Sequence, residues 1–196
     1  IIKKLEGKNV EFTLFDANTI KIISDRSTFT LISLDYTNFP NINFDVKSEV
    51  ININSLKLKN FIKQTAFAAG INETRLVLTG VCLETKQQDL QMIATDSYRL
   101  AKKISTNDED YPKTKVIIPS KSIEELSKIL EDESETVKMS FANNRALFEY
   151  KNISFITRLI EGNFPDTSSI IPTEHIVELT FNKNELLATV DRASLF

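Results

Sequence analysis

The chain has 196 residues, enough for one or two domains with a sizeable core, and carries 41% hydrophobic and 26% charged residues at a formal net charge of -3. A single cysteine, Cys82, excludes an internal disulfide and a cysteine-built metal cluster, and no run approaches the roughly 20 apolar residues that span a bilayer. The acid excess argues against attraction of nucleic acid over the whole surface while leaving room for a local basic face, and a cytoplasmic location is the default expectation.

In chain order, Ile1 to Leu5 predicts the end of a helix, with Lys3 and Lys4 in its last turn and Gly7 as the stop. Strand patterns follow over Val10 to Phe15, Thr19 to Ile23 and Thr28 to Leu34, and Asn38-Phe39-Pro40 then breaks the sheet, since proline cannot donate to a ladder. Val50 to Ile53 alternates again before the period changes. In Leu56 to Ala69 the residues Leu58, Phe61, Ile62, Thr65 and Ala69 make one stripe for packing on a sheet. The opposite arc holds Lys57, Lys59, Asn60, Lys63 and Gln64, with no acid among them.

Leu76 to Glu84 and Leu90 to Ala94 predict a hairpin across Lys86-Gln87-Gln88-Asp89. The stretch Ile93 to Ala101 then reads as two strands joined at a corner. Its polar hinge, Thr95-Asp96-Ser97, consists of residues whose side chains bond nearby backbone groups. The acidic run Asp108-Glu109-Asp110 has no partner ligands and reads as a solvated loop, so no metal is expected. Val116 to Ile118 is a short strand ended by Pro119, and Ser122 to Glu125 has capping-box spacing ahead of a second helix. That helix has a buried stripe of Ile123, Leu126, Ile129 and Leu130, with Lys121 and Lys128 on one side. After the acidic stretch Glu131 to Glu135, strands are expected at Val137 to Phe141, Ala146 to Tyr150 and Ser154 to Ile160, the first two joined through the tight-turn pair Asn143-Asn144.

The chain then repeats itself. Asn163-Phe164-Pro165-Asp166 echoes Asn38-Phe39-Pro40-Asn41, and the Leu179, Phe181, Leu186 spacing echoes that of Ile51, Ile53 and Leu58, both at an offset of about 125 residues. The repeating unit is sheet, linker, strand, helix. It predicts a domain ending over 1–47, a whole domain over 48–172, and a third beginning over 173–196. With no opening methionine and an end inside a helical pattern, the chain is expected to be part of a longer one.

Three motifs, Ala94 to Ala101 (ATDSYRLA), Leu159 to Pro172 (LIEGNFPDTSSIIP) and Asp191 to Phe196 (DRASLF), resemble the bacterial sliding-clamp family, the beta processivity subunits of DNA polymerase III. The resemblance implies an α+β fold of repeated clamp domains, with antiparallel sheets outside and two helices per domain lining a central hole. It also implies a head-to-tail ring of two chains around double-stranded DNA, held without sequence reading. The family's DNA-facing cations would correspond to Lys3, Lys4, Lys57, Lys59, Lys63, Arg75, Lys121 and Lys128. Its pocket for short apolar peptide tails would correspond to Leu78, Thr95, Ser97, Tyr98, Arg99, Leu100, Pro165 and Ile170. Through that pocket the family binds the replicative polymerase subunit, the clamp loader, repair polymerases and mismatch repair proteins. Tyr98 departs from the histidine usual there. The resemblance implies no catalysis and no cofactor.

Two other readings compete. An enzyme using Ser97 needs a base, and the single histidine, His175, stands in a different repeat. A peptide-binding scaffold without a nucleic-acid role would leave the lysines merely solvated.

Overall fold

Sequence alternation and period place most elements where a computed structural model of the chain has them. It describes residues 1–131, 134–172, 174 and 176–195. His175, weighed above as a base, lies outside the described residues, as do Phe196 of the last motif and Asp132 and Glu133 of the acidic stretch. The chain divides into two units, Ile1–Asp45 and Val46–Phe196.

In the first unit, strands β1 (Glu11–Asp16), β2 (Thr19–Ser24) and β3 (Ser27–Ile32) form an antiparallel meander. Register stacks Phe12 on Ile22 and Phe29, and Leu14 on Ile20 and Leu31, so period-two alternation gathers the apolar residues on one face. The β1–β2 turn is fixed by the Asp16 carboxylate, which accepts from the Asn18 amide at 2.9 Å. Where a helix end was expected, Ile2–Lys4 forms a single 3-10 turn. Three residues supply too few backbone bonds for an α-helix.

The second unit uses one pattern twice. Strand β4 (Val50–Asn54) leads into helix α1 (Ser55–Thr65) and then into strands β5 (Gly80–Lys86), β6 (Asp89–Thr95) and β7 (Leu100–Thr106). Strand β8 (Lys115–Pro119) leads likewise into α2 (Ser120–Ile129) and β9 (Thr136–Ala142), β10 (Arg145–Tyr150) and β11 (Ile153–Arg158). The halves exchange their opening strands: the sheets run β7-β6-β5-β8 and β11-β10-β9-β4. Each half therefore needs the other to complete its sheet.

Local chemistry explains the boundaries. The Asn54 side chain caps α1 by accepting from the Lys57 amide at 3.0 Å. All five residues of the predicted stripe are buried, and α1 and α2 pack on each other. Leu58, Phe61, Ile62, Ile123 and Leu126 share one core with Ile51, Leu83, Met92, Ile118, Met139 and Phe148 from both sheets. Asn143 and Asn144, with φ of 50° and 62°, make the tight turn between β9 and β10.

Three expectations need correction. The capping box at Ser122 does not form: α2 starts at Ser120 behind Pro119, which has no side-chain cap, so Ser122 lies inside the first turn and accepts from the Thr157 hydroxyl at 2.9 Å. The strand expected from Leu76 begins only at Gly80, because Glu73–Thr79 winds as 3-10 turns and the Gly70 amide bonds the Leu78 carbonyl at 2.7 Å. At Gly80 the strands approach so closely that a Cβ would lie 2.5 Å from Ile117 Cγ2. Leu179 and Phe181 form no strand, since no partner strand pairs with them among the described residues. Helix α3 (Lys183–Ala193) does form, capped by Asn182, with no residue buried.

Candidate functional site

The corner between β6 and β7 is built by short-range polar bonds. Thr95, itself buried, donates its hydroxyl to the Arg99 carbonyl at 2.7 Å and accepts from the Ser97 amide at 3.1 Å. The Asp96 carboxylate accepts from the amides of Tyr98 and Arg99, each at 2.9 Å, and pairs with Arg99 Nε at 3.0 Å. The Arg99 amide, then the Tyr98 amide, and more weakly the Arg99 charge hold Asp96 below the usual carboxylate range. Ser97 sits in the left-handed region at φ 80°, and Tyr98 is turned out almost wholly to solvent.

Beside this corner the chain from Ala69 to Leu78 folds back and closes a hollow of about 510 Å³. Buried Leu78 lies in its lining, with Ile71, Arg75, Ser97, Tyr98 and Arg99. Arg75 Nη1 donates to Ser97 Oγ at 3.1 Å. The Arg99 guanidinium lies 5.9 Å from the Phe67 ring centroid.

Four of the eight residues expected for peptide docking, Leu78, Ser97, Tyr98 and Arg99, line this hollow. Thr95 braces the corner, and Leu100 packs against a small core of Leu78, Cys82, Ile93, Ile117 and Phe164. Pro165 is exposed and lines a separate, smaller cavity with Cys82 and Asp166, while Ile170 is exposed in the following turn. Neither lines the hollow. The second NFP motif differs from the first in burial: Phe164 is buried and Phe39 is exposed.

The expected DNA-facing cations are spread over several elements. Lys63 on α1 is exposed, while Lys57 and Lys59 are half-buried. No acid occurs in Ser55–Thr65. On α2, Lys121 and Lys128 are exposed, yet Glu124 and Glu125 lie on the same helix and Lys128 is paired to Glu125 at 2.6 Å. Lys3 and Lys4 are exposed in the first unit. Arg75 does not belong with the helix cations: it sits at a kink within Glu73–Thr79, at φ -122° and ψ 70°, and turns onto Ser97.

Sequence reading missed the share of Ala69, Gly70, Ile71, Asn72 and Thr74 in the hollow, because their approach to Ser97 depends on the Gly70 to Leu78 closure and no periodicity signals it. Among the described residues the side-chain partner of Ser97 is the Arg75 guanidinium, which cannot take its proton. Among the described residues no group of His, Cys, Asp and Glu is arranged to hold a metal.

Residues 52–166 match the family model described as the DNA polymerase III beta subunit, central domain. The whole chain aligns at 41% identity with the beta sliding clamp of Staphylococcus epidermidis and at 39% with that of Streptococcus pneumoniae, in each case over 52% of the relative. It therefore spans about half the length of the curated relatives it matches. The crystal structure of the Bacillus subtilis DNA polymerase sliding clamp superposes with a TM-score of 0.85 at 40% identity, over 99% of this chain and 51% of that one. A Pseudomonas aeruginosa sliding clamp bound to griselimycin gives 0.75 at 26% identity, over 84% and 45%. The match of fold, central-domain model and relatives along the whole chain places it in the DNA polymerase III beta subunit family, the bacterial sliding clamps.

Proposed function

We propose that this chain is the central portion of a non-catalytic processivity factor, a ring that encircles duplex DNA in the bacterial cytoplasm and tethers the replicative polymerase and other replication and repair proteins. The observation that carries the reading is the braced corner Thr95 to Leu100 beside a hollow with Leu78 in its lining, in a chain of this family. A braced recess with Ile71, Leu78 and Tyr98 as its apolar lining receives Leu- or Phe-type side chains without ordering its own wall. Burial of two such side chains supplies roughly 3 to 6 kcal/mol gross. After the costs of ordering, affinity falls near about micromolar, which suits partners that exchange.

The DNA role rests on the lysines. Lysines on flexible stems contact phosphates without reading bases, and the acid-free arc of α1 suits that use. Closure into a head-to-tail dimer, and the division into domains near residues 47 and 172, belong to the same proposal. Clamp loader, repair polymerases and mismatch repair proteins would share the one recess.

The test is a fluorescence-polarisation titration of a labelled Gln-Leu-x-Leu-Phe peptide against the chain, with Leu100→Asp and Tyr98→Ala variants checked for fold by circular dichroism. Saturable binding weakened at least about tenfold by both is expected, at Tyr98 through a lost contact in the hollow and at Leu100 through disturbance of the Leu78 wall it packs against. Binding indifferent to both variants would remove the recess from the site. Salt-dependent retention on closed circular duplex by a chain with both flanking domains restored would separate the clamp from a scaffold without a nucleic-acid role.

A further inference from the structure

Beyond Ile160 the chain is moored at two points. Among the described residues that follow, Phe164 and Thr167 alone are buried, at 6% and 4% exposure. Ile160 donates its amide to the Ile117 carbonyl at 2.8 Å, and no described residue after it bonds its backbone to a strand. Phe164 packs against Leu78, Cys82, Ile93 and Ile117. By strand alternation that is the face of the β7-β6-β5-β8 sheet opposite Val81, Leu83, Met92 and Ile118 of the main core.

Both flanks of Phe164 are hollow. One cavity, of about 470 Å³, has Lys115, Ile117 and Gly162 in its lining with Phe164; another, of about 100 Å³, has Cys82, Lys102, Lys115 and Asp166. Side chains beside such voids lose the contacts that close packing would supply. Charge adds to the mooring. Asp166 is exposed, and the Ser168 amide and hydroxyl, then more weakly the Lys115 and Lys102 charges, hold its carboxyl below the usual range. Glu84 faces the same cavity, engaged by Gln91 Nε2 at 2.7 Å and by Lys115 at 3.6 Å.

We propose that residues 162–168 form a latch that opens as a unit while both sheets stay folded, held shut by the Phe164 ring and by attraction of Asp166 to Lys102 and Lys115. Opening bares the recess of Leu78, Cys82, Ile93 and Ile117. It also frees the chain beyond Glu161, helix α3 with its lack of buried residues included, to leave the sheet in a new direction. The ring supplies most of the hold, and the exposed charges make the remainder sensitive to salt.

Cys82 is the chain's single thiol, 1% exposed beneath the latch, and burial pushes its pKa up to about 11. Its alkylation reports opening. The unaltered chain, Asp166→Asn, Phe164→Ala and Leu58→Ala are treated with N-ethylmaleimide, a neutral reagent on which salt does not act, and the reaction is timed by mass. Asp166→Asn keeps an acceptor for the Ser168 amide and removes only the charge. At low salt alkylation should be about two- to fivefold faster in Asp166→Asn, the scale of an exposed ion pair, and at least about tenfold faster in Phe164→Ala. At about 1 M salt, where screening acts within about 3 Å, the unaltered chain should match Asp166→Asn. Leu58→Ala should lower the urea midpoint and leave the rate unchanged, since it weakens the core and not the latch. Equal rates for Asp166→Asn and the unaltered chain at low salt overturn the proposal. So does a rate that follows the urea midpoint through all four proteins, because Cys82 then reacts only from the unfolded chain.

Discussion

Asp96 and Ser97 are adjacent in sequence and differ in what the fold asks of them. Asp96 supplies acceptors to the amides of Tyr98 and Arg99, which holds its carboxyl below the ordinary value of about 3.9. Because the folded-state value is depressed, its contribution to the corner is complete above the ordinary carboxylate range and is lost as pH falls through the folded-state value. The amide resonances of Tyr98 and Arg99 should therefore titrate with a midpoint below about 3.9 in an NMR series. A midpoint at or above that value would mean that the carboxylate does not hold the turn. The polar hinge itself was readable from residue type, since Thr, Asp and Ser are turn formers. The opposition of Arg75 to Ser97 was not, because the two lie 22 positions apart and meet only through a loop closure.

Helix starts show how local chemistry can be read correctly in one place and misread in another. Asn54 caps α1 with its side chain, whereas the Ser122 to Glu125 spacing, a capping signature on paper, begins within the first turn of α2, which starts behind Pro119. Asn54→Ala should cost about 1 kcal/mol in a urea titration, the usual loss of a cap. Ser122→Ala should cost less, because only its contact with Thr157 goes. A larger loss at Ser122 than at Asn54 would restore the capping box. The same comparison explains the strand expected at Leu76: apolar residues there mimic alternation, but the closure at Gly70 keeps them wound until Gly80.

In the second unit, stability depends on two βαβββ halves completing each other's sheets over one core. Leu58 is fully buried at the centre of that core. Leu58→Ala should cost about 2 to 5 kcal/mol and lower the urea midpoint accordingly. Lys63→Ala, on the exposed arc of the same helix, should stay within about 0.5 kcal/mol. Similar losses at both positions would contradict the assignment of buried and exposed faces on α1.

By itself the sequence determined the succession of strand and helix patterns, the stripe of Leu58, Phe61, Ile62, Thr65 and Ala69, the Asn143-Asn144 turn, and the polar corner at Thr95 to Ser97. These follow from periods and side-chain bonds that span only a few residues, where the chain's own geometry leaves few choices. The strand exchange of β4 and β8, the separation of Pro165 and Ile170 from the hollow, the late start of β5, and the turning of Arg75 onto Ser97 were decided only by the tertiary structure. Each depends on which distant backbone groups are brought within bonding reach, and periodicity along a chain carries no information about that distance.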